Sequence, residues 1–116
     1  MSDCIFCRIV RGEIPARKVH EDEDILAFDD LHPIAPVHFL IIPKVHVASL
    51  YDCDARHQAA LGKILATAGR LAREQGATDG FRTIINTGRV GRQEVYHVHV
   101  HIIGGPDVLP GMIVRK

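Results

Sequence analysis

The sequence carries no excess of charge: fourteen Lys and Arg are balanced by fourteen Asp and Glu, for a formal net charge of zero. That balance excludes the basic field by which a domain holds a nucleic acid backbone or an anionic membrane, so any phosphate site has to be local. Long apolar runs are missing too. The longest, Val37–Pro43, is interrupted by His38 and is far too short to span a bilayer. No secretory leader is expected, because Met1–Asp3 is polar and the apolar residues after it are broken by Cys7-Arg8. The expectation is a soluble, cytoplasmic protein without a nucleic acid or membrane partner. Cysteine is scarce and odd in number, three in 116 residues, which argues against a disulfide framework and for thiols or metal ligands. Repeats, low-complexity tracts and linkers are absent, so one domain over 1–116 is expected. Hydrophobic residues at 47% and charged residues at 24% suit one globular core rather than a disordered chain.

What is present reads as a sheet interrupted by one strong helix. Asp3–Arg11 is expected to form a short helix with Asp3 as N-cap and Gly12 just past its end. Lys18–Glu21 and Ile25–Asp29 read as strands around the acidic turn Asp22–Asp24, and Val37–Ile42 as an apolar strand ended by Pro43. From about Ala55 to Gln75, Leu61, Ile64, Leu65, Ala68, Leu71 and Ala72 recur at three- and four-residue steps, with Asp54 and Gly76 at cap positions. Gly62 and Gly69 lie seven apart on one face of that helix, compatible with a solvated face or with close approach of a second helix. Phe81–Asn86 and Val95–Ile103 complete the strands. Strands, one long helix and more strands predict an antiparallel α+β domain.

The most informative stretch is His97-Val98-His99-Val100-His101-Ile102-Ile103. Successive strand side chains point to opposite faces, so three imidazoles share one face while Val98, Val100 and Ile102 share the other. Three polar rings on so apolar a strand are a poor way to build a hydrophobic sheet. They suit either a metal site or nucleophilic and acid–base chemistry, since imidazole is neutral near pH 7 with two distinct nitrogens. The spacing alone leaves both readings open.

His97–Ile103 is similar to the signature of the histidine triad (HIT) superfamily, three histidines alternating with apolar residues. The resemblance runs over nearly the whole chain: Cys4-Ile5-Phe6-Cys7, Glu13-Ile14-Pro15-Ala16, Ala27-Phe28-Asp29-Asp30, Ala35-Pro36-Val37-His38, Ile42-Pro43-Lys44-Val45-His46, Ile85-Asn86-Thr87-Gly88 and Gln93-Glu94-Val95-Tyr96-His97. It resembles most the small bacterial nucleotide-binding branch. The resemblance implies the histidine triad α+β fold, an antiparallel β-meander with one long and one short helix, dimerising through the long helix and the Phe81–Asn86 strand. It implies a purine nucleoside phosphoramidase that hydrolyses AMP–amine bonds and aminoacyl-adenylate-like compounds, with AMP or GMP as the nucleotide and no organic cofactor. Carried over by position, His99 is the nucleophile that becomes transiently nucleotidylated, and His38 and His101 hydrogen-bond the phosphate or leaving group. Asn86 and the turn Gln93, Glu94, Val95 hold the α-phosphate region, Asp30 takes the ribose hydroxyls, and Ile5, Phe6, Ile9, Phe28 and Leu31 wall the base. The alternatives are a dinucleoside polyphosphate hydrolase using the same histidine, or a nucleotide-binding regulatory module with little turnover.

Cys4-x-x-Cys7 by itself suits zinc, a redox pair or two plain thiols, although no strand precedes Cys4 as a redox motif would require. The resemblance implies a closed structural zinc site of Cys4, Cys7, His46 and His97, with no open position for water. Two departures from the family pattern stand out. Relatives commonly carry two glycines before Gln93, where this chain has Gly91-Arg92, and Asp107–Lys116 holds no aromatic residue.

Overall fold

The computed structural model describes residues 4–115. Asp3 lies outside the described residues, and the cap of the first helix, α1 (Ile5–Val10), is Cys4 instead. Its backbone is extended, and its Sγ accepts the Cys7 N–H at 3.4 Å. Gly12, at φ +80°, follows the helix end as expected. The strands are β1 (Lys18–Glu21), β2 (Ile25–Asp29), β3 (Val37–Pro43), β4 (Phe81–Ile84) and β5 (Val100–Gly104); the long helix α2 (Gln58–Glu74) stands between β3 and β4. A short 3-10 turn, Ala55–His57, leads into α2, and the Asp54 side chain caps that turn by accepting the Arg56 N–H at 2.9 Å. Leu65, expected on the core stripe of α2, is 56% exposed; the buried stripe is Ile64, Ala68, Leu71 and Ala72. Among the described residues no helix is long and apolar enough to cross a membrane.

All strand pairs are antiparallel, in the order β1-β2-β3-β5-β4. The meander therefore holds for β1 to β3. After α2 the chain adds β4 at the far edge, and β5 returns to lie between β3 and β4. β2 and β3 read as unbroken apolar runs because both faces of the sheet are covered there. On one face Ile25, Ala27, Phe39, Ile41, Val100 and Ile102 pack against the buried stripe of α2. On the other, Leu26, Phe28, Leu40 and Ile42 pack against Phe6 and Ile9 of α1. Helix α1 has only six residues and covers only part of its face. The histidines of β3 and β5 occupy what it leaves.

β5 is shorter than the alternating pattern predicts: it begins at Val100, so His97 and His99 precede it. The N–H of Val98 donates to Val47 O at 2.8 Å, outside any strand, and pairing with β3 starts only at Ile41↔Val100. β4 likewise stops at Ile84, two residues before Asn86. In the loop between them, Arg92 has φ +64°, a left-handed conformation that costs a residue with a Cβ roughly 1 kcal/mol or more. A glycine there would avoid that strain. The adjoining Gly91 has no such latitude, since a Cβ on it would meet Thr87 O at 2.6 Å.

Candidate active site and metal centre

Two clusters of side chains meet at the junction of β3, β5 and α1. In the first, His99 is nearly buried and donates Nδ1–H to its neighbour's carbonyl, His97 O, at 2.8 Å. That bond fixes the neutral tautomer and leaves Nε2 as a lone pair. His101 stands beside it, ring centroids 5.1 Å apart. The N–H of Ile34 donates to His38 Nδ1 at 3.1 Å, so the His38 ring proton sits on Nε2. From there it is donated to His101 Nδ1 at 3.0 Å, which leaves the His101 proton on Nε2. The Asp30 carboxylate lies 3.3 Å from His38 Nε2, and its other oxygen accepts the His32 N–H at 2.8 Å. Burial pushes the pKa of His38 and of His101 down, and the Asp30 charge opposes the shift at both.

A cleft of about 230 Å³ opens over His99 and His101. Ile5, Phe6, Ile9, Phe28, Asp30, Leu31, Glu94 and Val95 line it. Phe6, Ile9 and Phe28 are also core residues, so the cleft floor is the outer surface of the smaller apolar cluster. His38 reaches the cleft through His101. Gln93 does not line it. Its Oε1 accepts the Gly88 N–H at 2.9 Å, and its Nε2 donates to Ala48 O at 2.7 Å and Val95 O at 3.0 Å. All of its amide is thus engaged in bracing the 88–95 loop. Asn86, half-buried beyond the end of β4, is also outside the lining. Ile14, Pro15, Ala16 and Leu40 line the cleft without having been singled out for it. Leu40 was within reach of the sequence, since strand alternation puts it on the face of His38.

The second cluster brings together Cys4, Cys7, His46 and His97, from α1 and its cap, the loop after β3 and the segment before β5. His97 is fully buried and donates Nε2–H to Pro43 O at 2.8 Å, which turns its Nδ1 lone pair toward the cysteines. That nitrogen lies 3.4 Å from Cys4 Sγ, 3.5 Å from Cys7 Sγ and 3.2 Å from His46 Nδ1; Cys7 Sγ and His46 Nδ1 are 3.3 Å apart. A tetrahedral zinc with ordinary ligand distances has S···N edges of ~3.5 Å and an N···N edge of ~3.3 Å. The donor set fits that ion, and Cys4 Sγ accepts a hydrogen bond from the Cys7 N–H. Burial pushes the His97 pKa down to about 4, so the ring is neutral and able to ligate near pH 7. The trio Asp30, His38 and His101 is close enough to chelate as well, but fails the same test. A metal on His38 Nε2 would move the ring proton to Nδ1, against the Ile34 N–H that now donates there.

The fold and the paired histidine clusters define an α+β domain of the histidine triad kind. A sequence model of the HIT domain matches residues 11–108, and the chain belongs to that family. It is similar to the purine nucleoside phosphoramidase of Escherichia coli (strain K12), 44% identical over 115 residues, covering 98% of this chain and 96% of that protein. A 14 kDa zinc-binding protein of Brassica juncea is 48% identical over 105 residues, covering 89% of this chain and 93% of its own. Among solved structures, a histidine triad protein from Clostridium difficile superposes with a TM-score of 0.89 at 43% identity, covering 97% and 98% of the two chains.

Proposed function

We propose that this chain is a nucleotide-binding hydrolase that cleaves AMP-linked phosphoramidates through a nucleotidyl-histidine intermediate. The observation that carries the reading is the His99 ring: a tautomer fixed through Nδ1, with Nε2 open at the floor of an apolar cleft. His99 Nε2 attacks the α-phosphorus and the P–N bond breaks. A water gives its proton to the leaving nitrogen, which departs as the amine, while His101 Nε2–H donates a hydrogen bond to the phosphoryl oxygens. The hydroxide so formed attacks the phosphorus of the nucleotidyl-His99, the P–N bond to His99 breaks, and AMP is released. His38 holds His101 in the required tautomer through their hydrogen bond. Asp30 takes the ribose hydroxyls, and the apolar walls from Ile5 to Leu31 accept a purine face. Asn86, Glu94 and Val95 serve the α-phosphate region, where Gln93 acts through the loop it braces. The name of the Escherichia coli relative supports this choice of bond.

Zinc at Cys4, Cys7, His46 and His97 is structural in this reading, and His97 is therefore withdrawn from the chemistry. The test compares adenosine 5′-phosphoramidate with diadenosine polyphosphate, and kcat/KM is expected to favour the phosphoramidate by about a hundredfold or more. The reverse preference makes the chain a dinucleoside polyphosphate hydrolase, and tight AMP binding with no turnover of either makes it a regulatory module.

We further propose a homodimer. β4 is an edge strand with an open hydrogen-bonding side, Phe81 and Leu65 are exposed, and side chains at Gly62 or Gly69 would meet nothing within 4 Å. Light scattering at micromolar concentration should return twice 12.8 kDa; a monomer removes this assignment.

A further inference from the structure

Phe6 stands between Cys4 and Cys7 in sequence, on the first turn of α1. Its ring meets three others edge to face: His97 at a centroid distance of 5.9 Å and 74°, His99 at 5.1 Å and 83°, and Phe28 at 5.6 Å and 69°. Phe6 thus packs both on a ring of the metal cluster and on the reactive ring. His97 makes a second link, because its side chain belongs to the metal cluster while its carbonyl accepts the His99 Nδ1–H.

We propose that Phe6 is a positioning residue for His99, and that the Cys4/Cys7/His46/His97 centre acts on catalysis through Phe6 and the His97 carbonyl. A metal held by Cys4 and Cys7 from α1 and by His97 from the segment before β5 locks those two segments to one another. The Phe6 ring is then pressed on the His99 face, and His99 has one orientation in which Nδ1–H meets His97 O and Nε2 faces the cleft. Edge-to-face ring contacts are directional, so they favour one ring orientation over its flip. Phe6 thus does more than wall a base. The inference rests on the proposed role of His99, so its readouts include one that needs no substrate.

The experiment uses Phe6→Leu, Phe6→Tyr and chelator-treated wild type. For each it measures zinc content, kcat and KM on adenosine 5′-phosphoramidate, and the ¹⁵N shifts of His99. Phe6→Leu should keep its zinc and fold, lose about tenfold in kcat, and show His99 as a mixture of Nδ1–H and Nε2–H forms. Phe6→Tyr, which keeps the ring, should restore kcat and the single tautomer. Chelated wild type should show the same mixed His99 signature as Phe6→Leu. A Phe6→Leu protein with unchanged kcat, raised KM and a single His99 tautomer makes Phe6 a wall only and overturns the proposal. Should Phe6→Leu not fold, an unchanged His99 signature in chelated wild type overturns it equally. If no variant turns over substrate, wild type included, the nucleotide hydrolase reading fails, while the ¹⁵N shifts still decide the positioning role.

Discussion

Replacing His99 with alanine or asparagine should reduce hydrolysis of adenosine 5′-phosphoramidate by about 10⁴-fold or more, while AMP still binds within a few-fold of wild type. The expectation follows from the division of labour around that ring. In the proposed mechanism binding is assigned to the apolar walls, Asp30 and the 88–95 loop, none of which uses His99 Nε2. Chemistry in two displacements has no substitute for the nucleophile, because His97 is turned away by its bond to Pro43 O and His101 Nδ1 is occupied by His38. The two substitutions separate fold from chemistry. Alanine leaves His97 O without its donor, at a cost of about 1–3 kcal/mol where the group is buried. Asparagine keeps a short N–H donor on the side chain and should be the more stable of the two. Both should be equally inactive. Steady-state rates within tenfold of wild type in either variant would remove His99 as the nucleophile.

How much of this was legible in the sequence depends on whether the signal was local. The bounds of β1 and β2 follow from two short runs around an acidic turn, and the existence of α2 from its three- and four-residue steps, although Asp54 caps the 3-10 turn before α2 and the helix itself begins at Gln58. Strand order was not legible. Period-two patterning says which face a residue occupies but not which strand lies beside it, so the insertion of β5 between β3 and β4 left no local mark. The start of β5 was overrun for a related reason: His97-Val98-His99 alternates like strand, but its partner there is the loop carbonyl of Val47. The three-histidine face was legible, and so was Leu40 beside His38. The tautomers were not. They are set by the backbone group that each ring meets in the fold, the Ile34 N–H for His38, Pro43 O for His97 and His97 O for His99, and residue order does not say which ring nitrogen turns to it. The resemblance places Gln93 in the turn at the α-phosphate, while its side-chain amide is engaged by Gly88, Ala48 and Val95, partners that the folded loop assembles.

Stripping the metal centre should lower stability by ~3–5 kcal/mol at neutral pH, a fall in melting midpoint of roughly 10–20 °C. The four donors come from positions 4, 7, 46 and 97, so an ion held by them would tie the chain's first helix to the sheet across long sequence distances. Without it, α1 is held by the packing of Phe6, Ile9 and Val10 on the smaller core cluster, and six residues are too few to hold a helix unaided. The metal-free fold remains accessible, since a neutral His46 can turn an Nδ1–H toward the His97 lone pair 3.2 Å away. The effect of pH has a definite sign. His97 is held neutral in the fold, its pKa lowered to about 4, whereas the unfolded ring titrates near 6.5. Its contribution is therefore complete above pH 6.5 and is lost as the pH falls toward 4, where the unfolded chain binds the additional proton. Protons compete with the metal over the same range, because ligation needs thiolates and neutral imidazoles. Melting curves recorded from pH 8 to 4, with and without chelator, should be well separated at neutral pH and converge in acid. Cys7→Ser should track the chelated protein throughout. Superimposable curves at pH 7.5, or protein purified without chelator that contains no zinc, would leave the four residues as hydrogen-bonded neighbours and remove zinc from the description of this fold.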